Sequence, residues 1–462
     1  MRIPVWLTLI TALIVVALVI VIGQQLVAPD LPLITEAAFS HERITPNADG
    51  SDDIAVFNYT LTGNATISIL LEGENGTAYA FRQDEPRIPG DYSVQFSGVV
   101  DGFVLDGEDF GDQQIVQRLI PDGAYTWRLT ATGEGGEIAE QTGTLVIAEG
   151  DAPLPLMSEF TVFPQTFTPN QDGINDRSQI NIFLEKEADL TVYLLDPAGE
   201  RLYISERFED ARPGEPGRHL YDYEGGVDQG ANPPPDGTYP LVAHAQDAVG
   251  QRVARESKLT IVDGGKPQAQ IVAQAVGVSV IFERQPYDGR YMTSRFQAGD
   301  PVEPPSDIPA VDMTRLTVPL GDMLVFKLTV ENYSDVPIRT TGPAPGTVYQ
   351  WEQRAPSLGW NDESGAWRIG IECQTSGSSY PWRWALGNDE NLTLVTDPDT
   401  GNTYRYLMPG QRSTVWGAVR LTRIENRNPQ TCWAGLIHED VAISLSNRNV
   451  GPREIYIAEA GS

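Results

Sequence analysis

The sequence predicts an all-β protein, a tandem of two-layer antiparallel β-sandwiches behind one apolar N-terminal helix, and three observations carry that expectation. First, 44 Gly and 34 Pro are scattered through 462 residues. That spacing leaves little room for long helices and suits short strands joined by tight turns. Second, hydrophobic residues make up 41% and charged residues 21% of the chain, a balance that supports packed cores rather than disorder. Third, nearly the same polar phrase is written twice, as "TPNADGSDD" at 45–53 and "TPNQDGIND" at 168–176.

The apolar helix comes first in the chain. After Arg2 no charged residue occurs until Asp30, and residues 5–23 read "VWLTLITALIVVALVIVIG". At 1.5 Å per residue that run gives about 28 Å of helix, close to the hydrocarbon thickness of a bilayer. A removable signal normally has a shorter apolar region and small residues at its cleavage site, whereas here Ala28 stands directly before Pro29. The preferred expectation is a retained signal anchor through residues 5–23, with a cleaved signal as the alternative. Arg2 places the short side in the cytoplasm and the bulk of the chain outside.

The neighbourhoods of the two polar phrases also match. Ile67, Ile69 and Leu71 alternate after the first, Leu190, Val192 and Leu194 after the second, and each run breaks at a Gly-containing turn (74–76, 197–199). "PGDYSVQFSG" (89–98) then parallels "PGRHLYDYEG" (216–225), and "PDGAYTWRLTATGEGG" (121–136) parallels "PDGTYPLVAHAQDAVG" (235–250). These landmarks in one order describe a duplicated module of short strands, the pattern of a two-sheet sandwich. Their sequence resembles the FlgD-type immunoglobulin-like domain of bacterial surface and secreted proteins. The second copy matches through Asp196, Gly199, Tyr223, Glu224, Gly225, Pro235, Asp236, Gly237 and Tyr239. It has Tyr-Glu-Gly where the family usually has Trp-Asp-Gly. The first copy has Phe96, Ser97 and Gly98 there, and adds an acidic excursion, "VVDGFVLDGEDFGDQQ", before Pro121. The resemblance covers about half the chain and implies spacer or adhesive modules, with no catalysis.

The expected division is an anchor at 1–29, a first sandwich at 30–150, a second at 151–266 and a Trp-rich C-terminal sandwich at 267–462. In the last, "GDPVEPPSDIPA" (299–310) is too rich in Pro for a sheet and reads as an ordered surface loop. Leu324, Phe326, Leu328 and Val330 line one face of a half-buried strand that ends in the Asn-Tyr-Ser-Asp turn at 332–335. This region loosely resembles extracytoplasmic β-domains whose strand runs from Gly to Asn-x-Ser, and nothing is transferred from that likeness. Cys373 and Cys432 are the only cysteines. In an oxidising compartment they form a disulfide; the alternative is two buried thiols.

Net charge is −31, which repels a phosphate backbone and excludes nucleic acid as an expected partner. A solvated extracellular surface is the preferred reading of the acidity. Calcium is the candidate cofactor, because Asn47, Asp49, Asp52 and Asp53, and again Asn170, Asp172, Asn175 and Asp176, supply hard oxygen ligands. An EF-hand register places Thr45 and Val56, or Thr168 and Gln179, where carboxylates are required, so the site is not of that type. The preferred reading is a turn whose Asn and Asp side chains bond backbone amides, with a calcium site of another geometry as the alternative. Asn58, Asn64, Asn75, Asn332 and Asn391 begin Asn-x-Ser/Thr triplets, which carry little information on their own.

Trp351, Trp360, Trp367, Trp382, Trp384, Trp416 and Trp433 all fall in the C-terminal region. Tyr380, Trp382 and Trp384 alternate on one strand face, either as core or as a face that stacks on a surface protein or glycan. His41, His219, His244 and His438 are dispersed and read as surface side chains, and neither His-Glu pair continues to a second zinc ligand. No nucleophile elbow, phosphate loop or dinucleotide fingerprint occurs. The sequence therefore leads to a membrane-anchored extracytoplasmic structural or adhesive protein, not an enzyme, whose modules form a stalk for the C-terminal domain. A carbohydrate-binding or calcium-dependent recognition protein is second, and a surface hydrolase third.

Overall fold

The computed structural model describes residues 5–26, 31–207, 212–275, 277–306, 315–397 and 400–459. The expected cleavage region at Ala28 and the end of the Pro-rich stretch, 307–310, lie outside them. Val5–Leu26 is a single helix, with side chains described at Trp6 and from Thr8 to Ile20. Among the described residues no helix is long and apolar enough to cross a membrane, so the span expected at 5–23 is without support there. Among the described residues everything after the helix is strand, turn, irregular connection and short 3-10 segments, in keeping with the Gly and Pro content.

The chain divides into two compact units, one of Met1–Thr161, Asn181–Leu220 and Leu241–Ser257, the other of Val162–Ile180, Tyr221–Pro240 and Lys258–Ser462. In the first, a three-stranded sheet (Ile34–Phe39, Ala55–Leu61, Gly90–Phe96) faces a five-stranded one (Arg43–Ile44, Ile138–Ile147, Gly123–Gly133, Ala65–Gly73, Ala78–Arg87). Alternation decides the inner face: Ala55, Phe57, Tyr59 and Leu61 are buried from one sheet, Ile67, Ile69 and Leu71 from the other. Phe57 meets Trp127 edge-on at 5.1 Å between centroids, a preferred aromatic geometry.

The acidic excursion of the first copy has a structural use that the repeat pattern did not reveal. Val99–Asp101 and Gln114–Leu119 pair as a hairpin. The outer strand then pairs antiparallel with the second copy, Arg252 opposite Gln117 and Ala254 opposite Gln114. The two copies are thus joined through one sheet. Gln251, fully buried, accepts from the Leu119 amide at 3.2 Å and donates to the Asp151 and Pro153 carbonyls at 2.9 Å. The Lys186 ammonium sits between Asp151 and Asp247, 2.7 Å from each.

The "PDG" landmarks are tyrosine corners with a capping Asp. Tyr125 donates its hydroxyl proton to the Pro121 carbonyl and Tyr239 to that of Pro235, each at 2.6 Å. Asp122 accepts from the Glu149 and Gly150 amides, and Asp236 from Asp263 and Gly264. The same residues at the same offsets close the same strand end in both copies.

In the second unit, Met323–Asn332 is the central strand of a sheet in which Ala269–Val272 and Val280–Gln285 pair along one side and Arg412–Arg420 along the other. A second sheet runs Arg315–Pro319, Val450–Ala458, Gln430–His438, Trp367–Cys373, Trp382–Ala385. A three-stranded sheet of Ile338–Thr340, Thr403–Leu407 and Thr393–Thr396 completes the domain. Met323–Asn332 was expected to be half buried; it is buried on both faces. Leu324, Phe326, Leu328 and Val330 enter the main core, while Met323 and Val325 pack under Tyr291, Val302, Val348 and Ala418. The Pro-rich stretch supplies that second cover: Val302 donates its amide to Gly346 and its carbonyl accepts from the Trp416 indole. Asn332 is fully buried, its amide donating to the Val336 and Leu407 carbonyls at 2.9 Å. Its triplet is therefore closed to modification in the folded chain.

Cys373 and Cys432 are cross-strand partners and are joined by a disulfide. Removing it with the double variant C373S/C432S is expected to destabilise the domain by about 4 kcal/mol on the chain-entropy account for a loop of this length. Tyr125→Phe and Tyr239→Phe are expected to cost about 1 kcal/mol each. Chemical denaturation of the purified chain checks both.

Candidate functional site: a buried turn and its socket

The two Asn-x-Asp-Gly turns are built from the same bonds. In the first copy Asn47 Oδ1 accepts from the Asp49 amide, Asp49 Oδ1 from Ser51, and Asp53 from Asn47, Ala48 and Gly50. In the second, Asn170 Oδ1 accepts from Asp172, Asp172 Oδ1 from Ile174, and Asp176 from Asp172 and Gly173. The bonds hold Ala48, Gly50 and Asp52, and again Gln171, Gly173 and Asn175, at positive φ, a conformation that needs such local support in residues other than Gly. Every one of these bonds runs from a backbone amide to an Asn or Asp oxygen. Asn47, Asp49, Asp53, Asn170, Asp172 and Asp176 each already accept from backbone amides through at least one side-chain oxygen, while Asp52 and Asn175 contribute their backbone carbonyls to Thr45 and Thr168. Among the described residues no group of three or more His, Cys, Asp or Glu side chains is arranged to hold a metal.

The copies differ in what lies outside the turn. Asp49 and Gly50 face solvent, whereas Asn170 and Asp172 are each only 5% exposed. The second turn is seated in a socket of the C-terminal domain. Arg339 Nε donates to the Asp172 carbonyl at 2.5 Å, the Tyr406 hydroxyl to Asp172 Oδ2 at 2.8 Å, and His438 Nε2 to the Gln171 carbonyl at 2.7 Å. Arg339 also binds Glu363 and the Ser364 carbonyl, which fixes the loop 361–366 beside the turn. A Cβ on Gly173 would fall 2.1 Å from the Ser364 carbonyl oxygen, and one on Gly365 would fall 2.2 Å from Asp172 C. Backbone meets backbone there.

Behind the socket a charged cluster holds its walls. Arg368, fully buried, donates to the Thr341 and Asn361 carbonyls at 2.7 Å and lies 3.4 Å from Glu439, which also pairs with Arg383 at 2.6 Å. Glu439 exchanges backbone bonds with Gly365 and Ala366. The His438 ring stacks on Trp367 at 4.3 Å. Histidines expected on the surface are thus corrected: His438 is 5% exposed and His219 fully buried between Glu206 and the Glu215 carbonyl.

Burial dominates the electrostatics. It pushes the Asp176 carboxyl up to about 6, with the Asp172 charge adding to the rise. Asp172 is raised by burial against the opposing Tyr406 hydrogen bond, and Tyr406 is raised by burial and by Asp172. Desolvation lowers His438 to about 4, so it is neutral in the fold. Each perturbed group is already committed to a hydrogen bond within the chain.

Of the two readings of Tyr380, Trp382 and Trp384, core or binding face, the structure places all three in the core. These side chains are 1%, 1% and 0% exposed, so none offers a ring to a ligand. The reason is glycine on the neighbouring strands. The Trp384 ring occupies the place of a Gly417 side chain, and Tyr380 covers the facing pair Gly370 and Gly435. The Trp384 indole donates to the Thr347 carbonyl at 3.0 Å. Sequence reading missed Arg339, Tyr406, His438 and the 361–366 loop as a set; only "SGA" at 364–366, a small-residue stretch, marks the close approach.

No protein-family model matches the chain, and no curated protein matches it. Among solved structures it is similar to a Ca2+-stabilized adhesin of an Antarctic bacterium that binds ice, with TM-score 0.22 and 12% identity over 93% of this chain and 74% of that one. Fibronectin(III)-like modules of Clostridium thermocellum CbhA give 0.18 and 10%, over 49% and 93%. Bacteroides ovatus SGBP-B, solved with a mixed-linkage heptasaccharide, gives 0.15 and 8%, over 92% and 71%. At these scores nothing about function passes from them to this chain.

Gly50→Ala and Gly173→Ala introduce the same positive-φ strain, about 1–2 kcal/mol, but only the second also collides with the socket. Hydrogen exchange at 361–366 and 438–442 is expected to accelerate in G173A and to stay at the wild-type rate in G50A. The His438 shift has a definite sign. A histidine lowered on folding stabilises above about 6.5 and loses that contribution as pH falls toward 4, while Asp176, raised on folding, contributes below about 4 and loses it as pH rises through 6. Acidification from pH 7 to 4.5 is therefore expected to cost the wild type about 2 kcal/mol more than His438→Gln, which keeps an amide donor but does not titrate. Urea midpoints at the two pH values check this.

Proposed function

We propose that this chain is an extracytoplasmic structural protein of the cell surface, in which two FlgD-type immunoglobulin-like modules act as a stalk presenting the Trp-rich C-terminal domain, held at the membrane by the helix Val5–Leu26. The observation that carries the reading is the seating of the Asp172 turn in the Arg339, Tyr406 and His438 socket. A junction made of backbone contacts and buried hydrogen bonds resists bending far better than a Gly/Ser linker. The sheet shared by the two copies supports the same reading. The proposal assigns no catalysis to the chain; Asp172, Asp176, Tyr406 and His438, the shifted groups at the turn and its socket, are each engaged in hydrogen bonds within it.

Anchoring rests on the apolar sequence at 5–23 and on its exposure, since among the described residues no helix is long and apolar enough to cross a membrane. Trp6, Leu9, Leu13, Ile14, Val16 and Val19 are all more than half exposed, and a stripe-free apolar helix of this kind is stable only under an apolar cover. The disulfide and the net charge of −31 suit an oxidising, aqueous exterior. Expressed with residues 1–29, the chain is expected in the membrane fraction after a high-salt wash, cleaved by protease added to intact, wall-free cells. Without them it is expected to be soluble. Recovery of the full chain in the cytoplasm with Cys373 and Cys432 reduced would sink the reading.

A further inference from the structure

The C-terminal domain carries an open cleft of about 330 Å³ lined by residues outside the socket of the buried turn. This is at the low end of the roughly 300–1,000 Å³ typical of small-ligand sites. Its floor is nearly bare backbone at Gly342, Ala385 and Gly387. A Cβ on Gly342 would lie 3.3 Å from the Ala385 amide and 3.4 Å from Arg368 Nε, so the floor is packed from below by the charged cluster. Trp360 forms one wall. It follows Gly359, which ends the 3-10 turn Ala355–Leu358 at φ 89°, and its own amide donates to the Ala355 carbonyl at 3.1 Å. One side of the ring packs on the core. Among the described residues its indole N–H has no partner. Of the seven tryptophans in this region it is the one that lines this cleft.

The opposite rim is an ordered polar turn. Asn388 accepts from the Glu390 amide at 3.1 Å, and its own amide donates to Asn391 Oδ1 at 2.8 Å. Asp389 pairs with Arg405 through one carboxylate oxygen and the guanidinium Nε. The Asn388 side-chain amide, the second Asp389 oxygen, the Glu390 carboxylate and the Arg405 Nη groups have no partner among the described residues. Donors and acceptors thus stand together, held by local bonds, facing an aromatic wall.

We propose that this cleft binds one unit of a neutral saccharide, with the apolar face of a pyranose ring against Trp360 and its hydroxyls bonded to Asn388, Asp389, Glu390 and Arg405. Charge selects the class. An anionic ligand meets Asp389 and Glu390 on a chain of net charge −31, and Arg405 is paired with Asp389, so the rim offers a mixed set of donors and acceptors more than a single charge to pair. A ring with one apolar face and a circumference of hydroxyls matches both the wall and the rim. The inference goes beyond the structural role proposed above and does not rest on it, since the socket and the cleft use different residues.

The test is titration of the full chain in detergent with cellohexaose, mannohexaose and N-acetylchitohexaose, read by calorimetry and tryptophan fluorescence. Saturable binding of at least one is expected, weakened at least tenfold in Trp360→Ala, largely kept in Trp360→Phe, and weakened several-fold in Glu390→Gln, a surface change that leaves the core untouched. Absence of binding to all three at millimolar concentration overturns the proposal. So does binding that Trp360→Ala and Glu390→Gln leave unchanged. Loss of the membrane location with binding intact would refute only the structural reading.

Discussion

A carboxylate that gathers successive backbone amides is the interaction on which the rest of this structure depends. Asp53 and Asp176 each close a tight turn whose residues visit positive φ three times within a few positions. Such a turn exposes amides that water would otherwise claim, and one ionised side chain satisfies several of them by charge-assisted bonds. The turn then leads the chain into the next strand of each copy, at Ala55 and at Ser178. Its geometry is self-contained. For that reason the outer surface of the turn is free to serve as a rigid part in a larger contact, and in the second copy it does so.

Duplication followed by unequal use explains the joints. Both copies keep the turn and the tyrosine corner, but only the first carries the 99–119 hairpin that joins the sheet of the second, and only the second has its turn covered by the C-terminal domain. The cost of these contacts is high. Asp172, Arg339, Tyr406, His438, Arg368 and Glu439 are all withdrawn from water, and a buried charge is tolerated only with its hydrogen bonds complete. Here they are met mainly by backbone carbonyls, which have no rotamer to lose. Removing one partner strands the others, so such a network favours a single arrangement over nearby alternatives.

The cleft at Trp360 shares its walls with that network. Arg368 anchors the loop that carries Asn361 and, through Thr341, the floor beside Gly342. A binding surface supported from behind by a rigid polar cluster is preorganised, which lowers the entropy lost on capturing a flexible ligand. The structural role of the cluster and the recognition role of the cleft are therefore compatible, although each stands on different residues.

What the sequence by itself determined was everything whose cause is local. The strand alternation at Ile67, Ile69 and Leu71, the Asp-Gly turns and the Pro-to-Tyr corners are bonds between residues at most a few positions apart, and their spacing is written in the chain. The sandwich architecture and the pairing of Cys373 with Cys432 also followed, from periodicity and from cysteine count. Tertiary structure alone decided burial at equal local chemistry. "NxDG" reads the same in both copies, yet one turn faces water and the other meets Arg339 and His438 across 167 and 267 positions. The same holds for Tyr380, Trp382 and Trp384, which glycines on facing strands draw into the core, and for the histidines. Periodicity reports which face of an element is apolar; it contains no information on what arrives from elsewhere in the chain to cover a polar one.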